Sequence, residues 1–336
     1  MIELSKAQEA RAVKLHGKAV VVDTHCDTLM QFLPRYGQPA RKLGERSDKG
    51  HIDLPRMVEG GVTCQTFAIY TGTRAFVPEA SLLATLMVDK FYSEIEANPG
   101  IVAVTTSGEI LKAKKEGKVC GLLAIEGAEP LMGDLAALRV YHRLGLRMLS
   151  LAWNYRTPFA DGWNANRSGS KLPELGVQAI EEMHRLGIIF DVSHLTDSVF
   201  WDVCDVVKGP FIASHSNARD VCDHQRNLTD DMIKALADHG GVMGMNFAPA
   251  FVTKEGKDAT VSKLVDHIDH IVKLVGPDHV GLGSDFDGIG NPPKGLEDVS
   301  KMPNVTRELV GRGYSDEDVL KILGGNHLRV FKQVIG

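Results

Sequence analysis

The chain has 336 residues, 43% hydrophobic and 24% charged, with Lys+Arg 38 against Asp+Glu 43 for a formal net charge of -5. That composition excludes intrinsic disorder, collagen-like repeats and disulfide scaffolds. With no run of basic residues it also argues against a nucleic-acid partner gripped through phosphates. Cys26, Cys64, Cys120, Cys204 and Cys222 form no CxxC pair and read as reduced thiols. The N-terminal segment has no apolar signal-type stretch and the C-terminal one is polar, so the expectation is a cytoplasmic protein with no membrane partner.

Short apolar, β-rich runs alternate with amphipathic stretches along the chain. The first, Ala19 to Val22, leads into Asp23-Thr24-His25-Cys26-Asp27, and the second is Val62 to Ile69. Gly121 to Ile125 ends in Glu126, and Arg147 to Ala152 follows. Ile188 to Val192 leads to His194, and Pro210 to Ala213 leads to His215. Val242 to Phe247 and Val280 to Gly283, the latter running on to Asp285, complete the set. Most are continuously apolar, as parallel strands covered on both faces are. Between them, helices are predicted over 172–187, stopped by Gly187, from the capping residue Thr229, and over 261–275 with Leu264, Ile268, Ile271 and Leu274 as one stripe.

Eight strands alternating with helices predict an α/β fold, a (β/α)8 TIM barrel forming one domain over 1–336. A doubly wound open sheet is the alternative, but no GxGxxG follows the first strand. Long polar loops at 31–50, 154–170 and 285–302 follow strands one, four and eight, as loops serving a site do.

Active sites of such barrels form at the C-terminal strand ends, and five of these eight ends carry a metal-ligand type of residue. His25 and Asp27, two apart on a strand, share a face, whereas Cys26 points away. Three histidines and two carboxylates exceed the needs of one tetrahedral ion. They suit two divalent ions, zinc being the first expectation: His25 and Asp27 on one, His194 and His215 on the other, Glu126 bridging. Asp285 brings the site near charge neutrality, so that it can receive a neutral carbonyl.

Bland readings cover the other candidates. His142, His184, His239, His267, His270 and His279 lie in or beside helical patterns, and Met243 and Met245 read as core. Asp53 of the second HxD, His51-Ile52-Asp53, reads as a helix cap ahead of Leu54-Pro55. Asp287 shares parity with Asp285 and rivals it for the acid/base role.

On VVDTHCD, LLAIEG, FDVSH, FIASHSNARDVCDHQRN, HVGLGSDFDG and the tail LGGNHLRVF, the chain resembles the membrane dipeptidase (renal dipeptidase) family of the amidohydrolase superfamily. The resemblance implies a two-zinc barrel that hydrolyses dipeptides, including L-Xaa-D-Xaa, and that often forms homodimers. It places His25, Asp27, Glu126, His194 and His215 on the metals and makes Asp285 the acid/base. It also makes Arg226 the clamp for the substrate carboxylate. Two residues depart from renal-type members, which carry a histidine where Trp153 stands and a tyrosine where Ala248 stands. Trp153 therefore enters the candidate substrate site. Two other readings keep the metals: a hydrolase of another N-acyl amide, cyclic amide or lactone, and a metal-bound binding scaffold without turnover.

Overall fold

The computed structural model describes residues 2–34, 40–72 and 78–336; residues 35–39 of the predicted loop 31–50 lie outside them. All eight predicted strands form. They are β1 (Val22–Asp23), β2 (Cys64–Tyr70), β4 (Val119–Glu126), β5 (Leu146–Ser150), β6 (Ile189–Asp191), β7 (Ile212–Ala213), β8 (Val242–Met245) and β9 (Val280–Leu282). Every neighbouring pair is parallel, and β9 pairs with β1 while β2 pairs with β4, which closes the (β/α)8 barrel. A short further strand absent from the sequence reading, β3 (Ile101–Val104), pairs with the first half of β4 only, and β5 takes the second half of that edge.

The predicted helices hold with their caps. Gly187 ends Glu174–Leu186 at φ 70, and Thr229 Oγ1 accepts the Met232 N–H at the head of Asp230–Asp238. Val261–Val275 buries Leu264, Ile268 and Ile271. Asp53 caps Leu54–Glu59 by accepting the Arg56 N–H. No helix among the described residues is long and apolar enough to cross a membrane.

One buried cluster draws Val22, Cys64, Leu122, Met148, Ile189, Ile212 and Val242 from seven of the eight ring strands, so it fills the barrel's interior. Val330 and Phe331 of the last helix, Asn326–Val334, belong to it. These contacts involve the early residues of the strands and close the end opposite the strand C-termini. Side chains of the opposite parity, among them Phe67, Ile69, Leu123, Leu149, Phe190 and Met243, pack outward under the helices. This double coverage explains why the strands read as unbroken apolar runs.

Candidate metal centre and substrate pocket

The β1–β9 ladder continues past the regular strands. Asp27 N–H donates to Phe286 O (2.9 Å) and Asp285 N–H to His25 O (3.1 Å), which sets Asp285 beside His25 and Asp27. His25 Nε2 stands 3.6 Å from Asp27 Oδ2, 3.9 Å from Asp285 Oδ1 and 3.7 Å from Glu126 Oε2. The other Glu126 oxygen, Oε1, lies 2.7 Å from His194 Nε2 and 3.4 Å from His215 Nε2. The two groups thus meet across one carboxylate. The structure brings all six predicted metal and acid/base residues together.

Each imidazole on the far side is held in one tautomer. Asn154 Oδ1 accepts from Trp163 Nε1, which can only donate, so the atom is an oxygen and His194 Nδ1–H, 2.7 Å away, donates to it as well. The Nε2 lone pair of His194 is left facing the centre. His215 Nδ1 lies 2.7 Å from Ser214 Oγ, and its Nε2 is 2.8 Å from that of His194. Burial, reinforced by the charge of Arg226, lowers the pKa of His194, and burial lowers that of His215, so both rings favour the neutral form that a metal ligand needs.

His25 behaves oppositely. Burial works against its protonation, but Glu126, Asp27 and Asp285 outweigh burial and push its pKa up to about 10. A proton there stands in for the cation this carboxylate cluster attracts. Among the described residues His25 Nε2 and Asp27 Oδ1 have no hydrogen-bond partner although both are buried, the expected state of donor atoms shaped for an ion. His25, Asp27 and Asp285 form one triad with ligand-atom spacing, and His25, Glu126 and His215 another. Neutral imidazole and carboxylate suit zinc and similar divalent ions, so the residues fit the metals.

Gly288 makes the crowding tolerable, because a Cβ there would strike Asp27 Oδ2 and Asp285 Oδ1. Gly288→Ala should therefore weaken metal retention by about tenfold or more, as displaced ligand supports do. Metal analysis after dialysis checks this; a full complement would show that the carboxylates can move aside.

Asp285 has φ 64 and His194 has φ 74, left-handed values that cost of order 1 kcal/mol each and gather at working sites. Burial raises the Asp285 pKa to about 6. Asn246 donates through Nδ2 to Asp285 Oδ2 (3.0 Å) and is itself oriented by accepting the Ala248 N–H (2.6 Å). The rival Asp287 is absent from the pocket. Its carboxylate is taken by Thr28 Oγ1 (2.8 Å), Arg41 Nη1 (3.2 Å) and the His51 N–H (2.6 Å). Parity misleads here because the chain leaves the strand at Leu282 and turns left-handed at both aspartates.

Above the centre a cleft of about 280 Å³ is lined by Asp27, Glu126, Asp285, Arg226, Trp153 and Ala248, with Tyr70, Trp163, His224 and Phe251 among its other walls. Arg226 is buried; its Nη2 donates to His215 O (3.3 Å), its Nε has no partner among the described residues, and its guanidinium carbon lies 5.6 Å from the Phe251 ring centre. Trp153 packs beside Tyr70 (4.9 Å), Tyr155 (5.8 Å) and His194 (5.9 Å). Tyr70, His224, Asn154 and Asn246 were not singled out from sequence. Asn154 alone gave a signal, standing at the head of a long loop after a strand. Glu129, near Gly127, is also buried, and burial pushes its pKa up to about 7 from 4.5. The folded state keeps a proton there that the unfolded chain has released, so stability should fall as pH rises from 4.5 to 7. Glu129→Gln should flatten that fall, worth up to about 3 kcal/mol, in urea melts at matched pH values.

A parallel barrel that gathers imidazoles and carboxylates at its C-terminal mouth around a small, half-apolar cleft defines a metal-dependent hydrolase. The chain belongs to the membrane dipeptidase family (peptidase family M19), whose model matches residues 9–335, and is a metal-dependent dipeptidase. It is 35% identical over 345 residues to an uncharacterized dipeptidase of Schizosaccharomyces pombe, across 97% of this chain and 82% of that protein. It is 33% identical over 322 residues to dipeptidase 3 of Mus musculus, across 94% of this chain and 64% of that one. Among solved structures it is similar to a metallopeptidase from Rhodobacter sphaeroides liganded with a phosphinate mimic of the dipeptide L-Ala-D-Ala. That match has TM-score 0.85 and 30% identity, covering 94% of this chain and 99% of the other. The probable dipeptidase PvdM from Pseudomonas aeruginosa matches with TM-score 0.89 and 26% identity, covering 98% and 99%.

Proposed function

We propose that the protein is a binuclear zinc dipeptidase that hydrolyses L-Xaa-D-Xaa dipeptides. The observation that carries the two-metal reading is Glu126, one oxygen of which faces His25, itself beside Asp27, and the other His194 and His215. Support for a D-residue at the carboxyl end comes from the L-Ala-D-Ala mimic bound by the Rhodobacter sphaeroides relative.

Two ions held there would lower the pKa of the attacking water and polarise the scissile carbonyl. Asp285 takes the proton of that water and delivers it to the leaving amine; a pKa raised to about 6 by burial suits both directions near neutrality. Asn246 occupies Oδ2 and leaves Oδ1 turned toward His25 and the cleft. Arg226 spends one nitrogen on His215 O and keeps the rest of its fork for a terminal carboxylate. Trp153 walls the cleft with Tyr70, Trp163 and Phe251.

The test is amine release from a panel of L,L- and L,D-dipeptides by the zinc-loaded protein, with bound zinc counted. Turnover at about 10⁴ M⁻¹s⁻¹ or more supports the reading. Two bound ions with no turnover would sink it and redirect the search to other N-acyl amides, cyclic amides and lactones. A homodimer and a cytoplasmic location complete the proposal. Sedimentation tests the first and fractionation of the source cells the second.

A further inference from the structure

We infer that Asp191 is a positioning residue that sets the tautomer of His215 through the hydroxyl of Ser214; the inference rests on the proposed role of His215 as a metal ligand. Asp191 ends β6 and reaches across to the residues that follow β7. Its Oδ1 accepts two backbone donors, the N–H of Ser193 (2.9 Å) and that of Ser214 (2.8 Å). Its Oδ2 accepts from Ser214 Oγ at 2.5 Å.

A serine hydroxyl has one proton, and a carboxylate can only accept. Ser214 therefore gives its proton to Asp191 and presents a lone pair to His215 Nδ1 at 2.7 Å. His215 must carry its own proton on Nδ1, which leaves Nε2 bare beside Glu126 and His194. The ring has no freedom to choose. Ser193 Oγ, 3.3 Å from Ser214 Oγ, accepts the His215 N–H at 3.1 Å and so holds the backbone of the same residue.

The arrangement makes Asp191→Asn a change of direction and not merely of charge. The two backbone donors pin the new amide oxygen at the Oδ1 position, because the amide NH₂ there would meet them donor to donor. The NH₂ must then face Ser214 and donate to its oxygen. The serine proton then has two acceptors, His215 Nδ1 at 2.7 Å and Ser193 Oγ at 3.3 Å; turning to the nearer one drives His215 to the tautomer with its proton on Nε2, where it cannot ligate. A carboxylate-to-amide exchange behind a catalytic imidazole is known to act in this way.

The fold holds a twin of the clamp without the imidazole. Asp23 at the end of β1 accepts the N–H groups of Ser284 (2.8 Å) and His25 (3.3 Å) on Oδ1, and Ser284 Oγ (2.6 Å) on Oδ2. The Ser284 hydroxyl then receives the Phe286 N–H at 3.2 Å. Asp23→Asn reverses a serine in the same manner but has no ring to turn, so it separates damage to the strand end from control of the tautomer.

The test is ¹⁵N NMR of the full-length, metal-free protein labelled in its histidines, together with zinc titration. In the wild type, His215 should show a protonated Nδ1 and a bare Nε2. Asp191→Asn should exchange the two and weaken zinc at one of two sites by at least about tenfold. Asp23→Asn should leave the His215 signals in place. The double variant Asp191→Asn/Ser214→Ala should bind zinc more tightly than Asp191→Asn alone, since removing the reversed hydroxyl frees the ring; a merely structural role predicts the opposite. A wild-type His215 protonated on Nε2, an unchanged tautomer in Asp191→Asn, or a double variant weaker than the single one overturns the inference. Should Asp191→Asn fail to fold, the wild-type spectrum and a tautomer mixture in Ser214→Ala decide it. A wild type that binds fewer than two zinc ions while His215 shows the stated tautomer counts against the two-metal reading alone.

Discussion

Asp285→Asn should retain the wild-type metal content and lose turnover by about 10³-fold, within the range for a positioned acid/base. The substitution is nearly isosteric, and its outcome follows from Asn246. That side chain donates to Oδ2, and its own orientation is set by the Ala248 N–H. An asparagine at 285 must therefore turn its oxygen to Asn246 and its NH₂ toward His25 and the cleft. A donor then stands where the reaction needs a proton acceptor. Metal analysis and single-turnover kinetics check the two halves separately. Metal loss with the activity would return Asp285 to the role of ligand, and surviving turnover would point to another base.

Arg226→Ala should raise KM for dipeptides by roughly 100-fold, about 3 kcal/mol, as the loss of charged hydrogen bonds to a carboxylate does. The change in kcat should be much smaller. Dipeptide amides, which lack the carboxylate, should be hydrolysed equally poorly by both proteins. Arg226→Lys should not restore KM, because an ammonium cannot reproduce the planar fork. Burial pulls the Arg226 pKa down to about 10, so the clamp is charged throughout the working range of pH. Equal KM values for wild type and Arg226→Ala would remove the clamp from the scheme.

The barrel was legible because its strands are buried on both faces and so appear as continuous apolar runs that end abruptly in ionisable residues. The convergence of the candidate ligands was legible for the same reason: Glu126 ends β4 and His215 follows β7 by two residues. β3 escaped notice because Val102 and Ala103 are half-buried and the strand pairs with part of one neighbour only. Asp287 read as a rival to Asp285 because the two share parity, but parity holds only while the backbone stays extended, and both residues have left-handed φ. The supporting amides Asn154 and Asn246 carry no periodicity or spacing, and only proximity in three dimensions reveals them. Asp191 stood in view, within the run that leads to His194, but its link to His215 runs through Ser214, which follows the next strand.

The barrel closes by pairing β9 with β1, Asp23 opposite Leu282, so the centre is completed by segments about as far apart in the chain as they can be. A ribosome releasing this polypeptide exposes His25 and Asp27 early, long before their neighbour Asp285 exists. Until that last strand emerges, no assembled proton shuttle and no stable ring are available, and closure must wait for a slow, long-range pairing. A chain cut short of β9 would lack both Asp285 and the pairing that closes the ring.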